Sequence, residues 1–359
     1  MSKKLKAGII GCGGIAEQKH LTSIIKIKDV EVTALCDIIP EKAEALKKKF
    51  SLNDAKVYSD YKELIKDGSI DVVHICTPNS SHCPITVDSL EAGKHVMCEK
   101  PMAVSFEEAK KMTQTAKKTG KVLTIGYQYR CNPAPLYLKK ACQRGDLGDI
   151  YFAKAHAIRR RGVPTWGVFL KEKEQGGGPL IDIGTHALDM TLWMMDNYKP
   201  KSVTGSVFKK LGNNPDSGNI WGPWDPKEYT VEDSAFGFIT MENGATIILE
   251  SSWALNSLDV REAVCTLCGT KAGADMSDGL RINSSDLGKL TVTKPDLAVG
   301  GVQFYEGKSM EAKDIECHNF YDAILNGAQL RVTPEQAMVV TQILEGIYES
   351  GKTGKQVFF

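Results

Sequence analysis

The first third of the chain alternates short apolar runs with segments in which apolar residues recur every three or four positions. The runs predict buried strands, and the periodic segments predict helices. Strands that alternate with helices need crossover connections, so together they predict a parallel, doubly wound sheet. The predicted strands are residues 6–10, 30–36, 72–77, 95–98 and 122–126, and the predicted helices are residues 15–27, 40–49, 84–92 and 105–119.

The pattern changes after about Tyr127. One glycine-led helix is predicted within residues 175–196, and strand-like segments then follow one another, with Asn243-Gly244 as a strong hairpin signal. Consecutive strands predict an open, largely antiparallel sheet that helices cover on one face. These strands are residues 202–208, 233–241, 245–255, 260–267 and 290–293. The pattern also predicts a final helix at residues 334–350 and leaves open which of the two domains it packs against.

The fold class is therefore α/β, with a doubly wound domain over residues 1–126 and an α+β domain over residues 127–359. A length of 359 residues agrees with about two domains. Lys and Arg number 45 against 44 Asp and Glu, so the formal net charge of +1 argues against nucleic acid as a partner. No apolar run approaches the ~18 residues of a membrane span, and no apolar segment follows the basic start. We expect a cytoplasmic protein without a membrane partner.

The ten cysteines are scattered through strand-like segments and do not form a disulfide framework. Cys265 and Cys268 form a C-x-x-C, but positions three apart in a strand point to opposite faces. No second cysteine pair or histidine pair accompanies them. We expect buried thiols here and no metal site.

A glycine loop between the first predicted strand and helix matches G-x-G-x-x-A and ends at Ala16. Its glycines permit a tight turn and a close approach of the backbone to a pyrophosphate, which the helix N-terminus attracts. Asp37 ends the next strand, where an acid accepts from the ribose hydroxyls and repels a 2′-phosphate. The loop predicts NAD as cofactor, with NADP disfavoured, and the predicted cofactor ligands are Gly11, Cys12, Gly13, Gly14, Ile15 and Asp37.

Polar residues follow two further strands of the same predicted sheet. Ligands of doubly wound sheets bind beyond the carboxyl ends of the strands, so Thr77, Asn79 and His82 are candidates for the cofactor's ribose and nicotinamide. The alternative is a polar turn that caps the next helix. Glu99 and Lys100 end the other strand, where the Lys100 ammonium would stabilise a developing alkoxide.

The glycine-led helix contains Asp182, His186 and Asp189. If the helix begins near residue 179, Asp182 and His186 lie one turn apart on one face, and Asp189 roughly follows. A histidine with a carboxylate partner accepts a proton near neutral pH. Two alternatives stay open: metal binding by the i, i+4 pair, which lacks a convincing third ligand, and a buried structural histidine.

Together the glycine loop, Thr-Pro-Asn with its following histidine, Glu-Lys-Pro and Gly-Gly-Gly…Asp-Ile-Gly-x-His resemble the Gfo/Idh/MocA family of sugar oxidoreductases over nearly the whole chain. The resemblance implies a Rossmann domain, a C-terminal open sheet that makes a homo-oligomer, and a catalytic set at Lys100, Asp182 and His186. It also places Glu99 and Lys100 near the nicotinamide and residues 127–132 beside cofactor and substrate. From that segment we expect Gln128 to contact the cofactor, and Tyr129 and Arg130 to contact the substrate.

Residues 156–166 add arginines and a tryptophan. Trp166 suits stacking on a sugar or aglycone ring beside the cofactor, and Arg161 suits donation to hydroxyls. The alternative is a strand that directs only one or two of its three consecutive arginines to the site. Tyr305 is a further candidate for closing the substrate pocket, beside Asp182 and His186.

The predicted function is oxidation, or reversible reduction, of a secondary hydroxyl of a sugar, glycoside or cyclitol with NAD, and C3 of a glycoside is one candidate position. His186, assisted by Asp182, would remove the hydroxyl proton, and Lys100 would stabilise the oxyanion. One alternative is a redox-assisted glycosidase or lyase, which oxidises C3, eliminates the C1 substituent and takes its hydride back. Another is a non-catalytic NAD-sensing module.

Overall fold

The computed structural model of the chain describes residues 4–214, 218–297 and 310–359. These residues divide into two compact units. The first unit consists of the described residues up to Gln128 and of Met310–Met338. The second consists of the described residues between Tyr129 and residue 309 and of Val339–Phe359.

The first unit is built on a six-stranded parallel sheet in the order β3-β2-β1-β4-β5-β6. This order confirms the predicted doubly wound sheet, because β1 lies at the centre and the chain winds outward from it in both directions. The strand β3 was not predicted, since it has only three residues and none is fully buried. The strands are β1 Leu5–Ile10, β2 Val30–Cys36, β3 Lys56–Tyr58, β4 Val72–Ile75, β5 His95–Cys98 and β6 Leu123–Ile125.

Helices connect these strands, and four of them correspond to the predicted segments, whereas Tyr61–Lys66 and the 3₁₀ turn Asn79–Ser81 were not predicted. The ends of the helices follow capping rules. The Ser105 hydroxyl accepts from the Glu108 amide at the start of one helix, and Gly120 ends that helix in the left-handed region at φ 64°. The helix after the glycine loop begins with a π-helical stretch, which the sequence pattern did not reveal. The helical segments are Ala16–Leu21 (π) with Thr22–Ile24, Pro40–Lys49, Tyr61–Lys66, Asn79–Ser81 (3₁₀), His82–Glu91 and Phe106–Thr119.

A further helix, Ala312–Asn326, belongs to the first unit although it lies far along the sequence. Its residues Cys317, Phe320 and Tyr321 are buried in the same apolar core as β1 and β2. The compact units therefore differ from the predicted division at residues 126/127, which assigned this helix to the second domain. Its apolar and polar positions alternate too irregularly for the pattern to have revealed it.

The second unit is built on a nine-stranded sheet in the order β14-β13-β12-β11-β7-β10-β9-β8-β15. Among the described strands of this sheet only β7 and β10 pair in parallel, so the sheet is largely antiparallel, as predicted. The hairpin at Asn243-Gly244 joins β9 to β10, with Gly244 at φ 86°. The strands are β7 Ile150–Ile158, β8 Pro200–Phe208, β9 Ser234–Met241, β10 Thr246–Ser252, β11 Arg261–Gly269, β12 Gly273–Asp275, β13 Arg281–Asp286, β14 Lys289–Thr293 and β15 Val357–Phe358.

One helix, Thr185–Met195, packs against β7 and β11. Three alternate residues of β7, Ala153, Ala155 and Ala157, are fully buried, and their small side chains leave room for a closely packed helix. No described helix is long and apolar enough to cross a membrane. The other helical segments are Gln128–Cys131 (3₁₀), Pro133–Arg144, Glu172–Gln175, Leu180–Gly184 (π) and Pro334–Thr353, and the division between the units falls within the last of these.

Two glycines of this sheet allow Ile347 of the last helix to approach closely. A Cβ at Gly205 would lie 2.8 Å from the Ile347 carbonyl oxygen, whereas a Cβ at Gly237 would meet only the side-chain end of Ile347. A backbone atom cannot rotate away, but a side-chain end can. We expect Gly205→Ala to lower the free energy of unfolding by about 3 kcal/mol and Gly237→Ala by about 1 kcal/mol. Urea denaturation measures both.

The control is Gly68→Ala, because a Cβ at that position would meet no described residue within 4 Å apart from its chain neighbours. Equal losses from Gly205→Ala and Gly237→Ala would show that the backbone contact with Ile347 does not determine the packing of this helix on the sheet.

Candidate functional site

The glycine loop forms a turn that only glycine permits at its first position. Gly11 has φ 90°, and a Cβ there would lie 2.7 Å from the backbone of Cys76. Apart from flanking residues and the helix backbone, a Cβ at Gly13 would meet no atom of the described residues within 4 Å, and one at Gly14 would meet only the Gln18 side chain at 3.9 Å. The loop is therefore packed tightly on its strand side at Gly11 and is open at Gly13 and Gly14.

Asp37 fixes the conformation of this loop from the end of β2. Its Oδ2 accepts from the Cys12 amide at 2.8 Å, and its Oδ1 accepts from the Ile39 amide at 2.9 Å. A carboxylate has about four acceptor positions, so capacity for further donors remains. Cys12 is buried, and burial raises the pKa of its thiol to about 12. Ile15 is exposed at the start of the helix, and Ala16 is fully buried.

Thr77 and Asn79 follow β4 at the same edge of the sheet, with Asn79 at the start of a 3₁₀ turn. Within the described residues the Thr77 hydroxyl has no hydrogen-bond partner. His82 does not face the edge as predicted. It is fully buried, and its ring nitrogens lie 2.8 Å from the Pro101 carbonyl oxygen and 3.0 Å from the Thr77 carbonyl oxygen. Its contacts hold two loops together, so the prediction of a cofactor ligand at His82 is corrected.

Glu99 lies beside Lys100 as a buried carboxylate. Its Oε1 accepts from the Lys19 ammonium at 2.6 Å and from His20 Nε2 at 2.9 Å, and its Oε2 accepts from the Lys100 amide at 3.2 Å. Burial alone would raise the pKa of Glu99, but the Lys19 charge and the His20 hydrogen bond outweigh it and hold the pKa well below its ordinary value. Lys19 also pairs with Glu316 of the late helix at 2.8 Å.

The hydrogen bonds continue from Glu99 through two buried histidines. His20 Nδ1 lies 2.8 Å from His74 Nδ1, and His74 Nε2 lies 2.9 Å from the Tyr321 hydroxyl. Burial lowers the pKa of both histidines and raises that of Tyr321. Since ionised Glu99 only accepts, one arrangement satisfies every group: Tyr321 donates to His74, His74 donates to His20, and His20 donates to Glu99.

In the second unit the predicted pair Asp182 and His186 lies where a π-helical turn passes into an α-helix. Asp182 is in the segment Leu180–Gly184, and His186 is in the helix Thr185–Met195. Trp253 Nε1 donates to Asp182 Oδ2 at 3.1 Å, and the Tyr129 ring meets the His186 ring edge to face at 4.6 Å. Burial raises the pKa of Tyr129, and the Glu262 charge adds to this rise, so its hydroxyl keeps its proton.

The start of this helical region is anchored by Glu232, which the sequence analysis missed. Its buried carboxylate accepts from the amides of Gly178 and Leu180 at 2.8 and 3.1 Å and from the Tyr348 hydroxyl at 2.8 Å. Helix N-termini leave amides without partners, and a carboxylate there satisfies them. Glu232 thereby fixes the entry of the helical region that carries Asp182 and His186.

Arg130 is not a substrate residue as predicted. It is fully buried, and its guanidinium binds the Asp189 carboxylate through two hydrogen bonds, at 2.9 and 2.6 Å, while also contacting the Tyr198 hydroxyl. Asp189 therefore faces Arg130 instead of continuing the face formed by Asp182 and His186. A buried charged pair of this kind holds two helices together.

Three of the remaining predicted residues, Gln128, Arg161 and Trp166, are partly or largely exposed. Gln128 is half-buried in a 3₁₀ turn. Arg161 donates to the Arg160 carbonyl and to Asn256 Oδ1. Trp166 is exposed, and Tyr305 lies outside the described residues.

Both parts of the chain match the sequence models of one protein family. Residues 5–127 match the sequence model described as the oxidoreductase family with an NAD-binding Rossmann fold. Residues 136–275 match the GFO/IDH/MocA C-terminal domain. The chain is a member of the Gfo/Idh/MocA oxidoreductase family.

Relatives of this Gfo/Idh/MocA protein include sugar and cyclitol dehydrogenases. It is 36% identical to D-glucoside 3-dehydrogenase from Escherichia coli, covering 99% of this chain and 98% of that protein. It is 28% identical to inositol 2-dehydrogenase from Salmonella typhimurium, covering 90% and 87%. A solved levoglucosan dehydrogenase complexed with NADH and levoglucosan superposes with a TM-score of 0.82 at 24% identity, covering 99% of each chain, and this likeness shows the fold alone.

The glycine loop of this family member fits NAD. The open side of the loop at Gly13 and Gly14 leaves room for a pyrophosphate at the helix N-terminus. Asp37 lies at the end of β2 with acceptor capacity to spare, where ribose hydroxyls would donate to it. Among the described residues no cluster of three or more His, Cys, Asp or Glu could hold a metal ion. All ten cysteines are free thiols. Cys265 and Cys268 lie on the strand β11, as predicted, but only Cys265 is buried and Cys268 is half-buried.

The glycine loop generates a test that separates stability from binding. We expect Gly11→Ala to lower the free energy of unfolding by more than about 2 kcal/mol, because its Cβ would collide with the Cys76 backbone at positive φ. We expect Gly13→Ala to change it by less than about 1 kcal/mol but to weaken NAD⁺ binding about tenfold or more. Thermal unfolding and calorimetric titration measure the two effects.

In this test, Gly68→Ala again serves as the control, because it lies away from the loop and should change neither quantity. Normal NAD⁺ affinity in Gly13→Ala would mean that the pyrophosphate does not lie against this part of the loop.

Proposed function

We propose that the protein oxidises, or reversibly reduces, a secondary hydroxyl of a sugar, glycoside or cyclitol with NAD, and that C3 of a glycoside is the position. The observation that carries this proposal is the full-length similarity to D-glucoside 3-dehydrogenase, combined with a lysine, an aspartate and a histidine at the family's catalytic motif positions. NADP is disfavoured because Asp37 would repel a 2′-phosphate.

Lys100 supplies the positive charge in this proposal. It lies two residues after Cys98, the last residue of β5, and its peptide bond to Pro101 is cis. The ammonium favours the alkoxide form of the substrate hydroxyl, because an opposite charge stabilises the oxygen as it loses its proton. Glu99 accepts from the Lys100 amide, so the buried ion pair with Lys19 holds the backbone that presents Lys100.

His186 accepts the hydroxyl proton in this proposal, and Asp182 assists it. Trp253 holds the Asp182 carboxylate through its indole N–H, and the Tyr129 ring packs against His186. These contacts restrict both side chains, and a restricted base keeps its geometry for proton transfer. Tyr129 contributes to substrate binding through its hydroxyl, which stays protonated.

The cofactor would be held by residues of the first unit. Asp37 would accept from the adenosine ribose, and the backbone at Gly13 would contact the pyrophosphate. Thr77 and Asn79, together with Gln128, would contact the nicotinamide end. When bound, NAD⁺ accepts the hydride that leaves the carbinol carbon.

A redox-assisted glycosidase would use the same residues but would release the aglycone without net NADH. Measuring aglycone release against NADH absorbance distinguishes the two reactions. A purely NAD-sensing protein would bind the cofactor and give no absorbance change with any sugar, inositol or glycoside. The intact set of Lys100, Asp182 and His186 favours an enzyme.

Replacing the catalytic groups tests the proposal. We expect Lys100→Ala to lower kcat/KM by about 10³ and His186→Asn to lower it by about 10² to 10⁴, with NAD⁺ affinity unchanged within about twofold. NADH absorbance with methyl glucoside measures the first quantity and calorimetric titration the second. Lys110→Ala removes an exposed lysine elsewhere and should change neither. Full turnover in either variant, with NAD⁺ bound, would refute the roles.

We also propose that the protein forms a homo-oligomer through one face of its nine-stranded sheet. Apolar side chains lie on the same face of neighbouring strands: Phe208 and Phe238 are 39% and 52% exposed, and Phe238 is paired with Ile248. Exposed apolar patches of this kind mark interaction surfaces. A second copy of the same chain would cover this face symmetrically.

A charge in the middle of this face tests the oligomer. We expect Phe238→Glu to reduce the molar mass measured by light scattering to that of a single chain or a smaller assembly, because a buried unpaired carboxylate is costly. Leu258→Glu changes a highly exposed loop residue and should leave the mass unchanged. A wild-type mass equal to one chain, or an unchanged mass in Phe238→Glu, would exclude an interface at Phe238.

A further inference from the structure

Exposed tryptophans in the second unit form a corner of aromatic rings. Trp166 is 51% exposed and Trp221 is 40% exposed, and their rings meet at 87° with centroids 5.0 Å apart. Tryptophan is the largest apolar side chain, and leaving two of them half open to water gives up burial that would stabilise the fold. Two adjoining flat faces that stay exposed suit a ligand that is itself flat.

The corner is held rigid by polar contacts around it. The Asn219 side chain bonds the backbone of Val163 and of Gly222, and the Thr165 hydroxyl donates to the Trp221 carbonyl at 2.8 Å. These bonds join the two loops that carry the tryptophans. The rings are thus fixed before a ligand arrives, which lowers the entropy cost of binding.

A cation completes one side of the corner. The Arg159 guanidinium lies 5.2 Å from the centre of the Trp221 ring and is fixed by two hydrogen bonds to Glu262, at 2.6 and 2.5 Å. Arg159 therefore occupies one face of Trp221. A ligand ring has the remaining surfaces of Trp221 and Trp166 to pack against.

The corner is continuous with the proposed catalytic carboxylate. Trp166 contacts Phe169 at 5.7 Å between centroids, Phe169 contacts Trp253 at 6.4 Å, and the Trp253 indole donates to Asp182. Trp253 is fully buried, so this series of ring contacts leads from Asp182 through the protein interior to the exposed rings of Trp166 and Trp221. A substrate with only one sugar ring, bound at Asp182, would leave these two exposed rings unused.

We infer that Trp166 and Trp221 form a subsite for a second ring, joined to the oxidised sugar through its glycosidic bond. The inference rests on the proposed function and narrows its preferred substrates to glycosides with a ring as aglycone, which should bind more tightly than free monosaccharides and methyl glycosides. The shared chemistry is a flat apolar face, which both an aryl group and the face of a pyranose present.

Binding to the protein loaded with NADH tests this subsite without turnover, because NADH cannot accept a further hydride. We expect phenyl β-glucoside to bind about tenfold more tightly than methyl β-glucoside, in keeping with the gain from an aromatic contact. Trp166→Ala and Trp221→Ala should each remove most of this preference while leaving the affinity for methyl β-glucoside within about twofold. Calorimetric titration measures these affinities, and cellobiose in place of phenyl β-glucoside distinguishes a pyranose from an aryl ring.

Two further variants keep the test interpretable. Trp166→Leu retains apolar volume but loses the flat face, so it should lose the preference even if the alanine variant unfolds. Tyr151→Ala removes an equally exposed aromatic ring outside the corner and should keep the preference. The steady-state kcat/KM ratio of the two glycosides should change in parallel with the affinities.

The inference is overturned if wild-type protein shows no preference for a ring-bearing glycoside, or if the tryptophan variants weaken both glycosides equally. Oxidation of methyl β-glucoside without any ring preference would remove the subsite and leave the proposed function standing. Absence of NADH formation with every sugar and glycoside would instead remove the proposed function.

Discussion

The first unit depends on keeping Glu99 ionised in an environment without water. A buried carboxylate is stable as an anion only when cations and donors surround it, and removing one partner of such a pair leaves an uncompensated charge that costs several kcal/mol. Lys19 and His20 come from the helix after the glycine loop, and Glu316 is a second carboxylate partner of the Lys19 ammonium. The same carboxylate therefore links the nucleotide loop, the Lys100 backbone and a late helix. Because Glu99 can only accept, it also fixes the direction of every hydrogen bond out to Tyr321.

The elements that local pattern determines were predictable. The strand Val30–Cys36 and the helix Pro40–Lys49 have the bounds that their apolar runs and charged ends indicated. The elements that depend on distant partners were not. Lys56–Tyr58 is a strand only because it pairs with β2, and the helix Ala312–Asn326 is placed by burial of Phe320 and Tyr321 against strands almost 300 residues earlier. Periodicity within a window carries no information about such partners.

The site shows the same division. The glycine loop with Asp37 was predictable because the backbone there requires these residue types: the tight turn requires glycine, and the end of the strand places an acid beside the loop. The roles of His82 and Arg130 were not predictable. A polar residue at the end of a strand or helix can either bind a ligand or make buried hydrogen bonds that hold the fold together. Only the carbonyls around His82 and the Asp189 carboxylate facing Arg130 decide between the two. Glu232 carried no motif at all, since its function is to satisfy amides on a segment 50 residues earlier in the chain.

The position of the helix Ala312–Asn326 constrains the order in which the protein can fold during translation. The nucleotide-binding sheet is complete in sequence once β6 has been made, yet Lys19 still lacks Glu316 and the core around β1 and β2 still lacks Phe320 and Tyr321. A nascent chain that has emerged only as far as the second unit therefore exposes apolar surface in its amino-terminal third, where the Lys19 ammonium still lacks one of its two carboxylate partners. Nearly the entire polypeptide must leave the ribosome before the core of this amino-terminal third is complete, so a chaperone would bind the exposed apolar surface during this stage of synthesis.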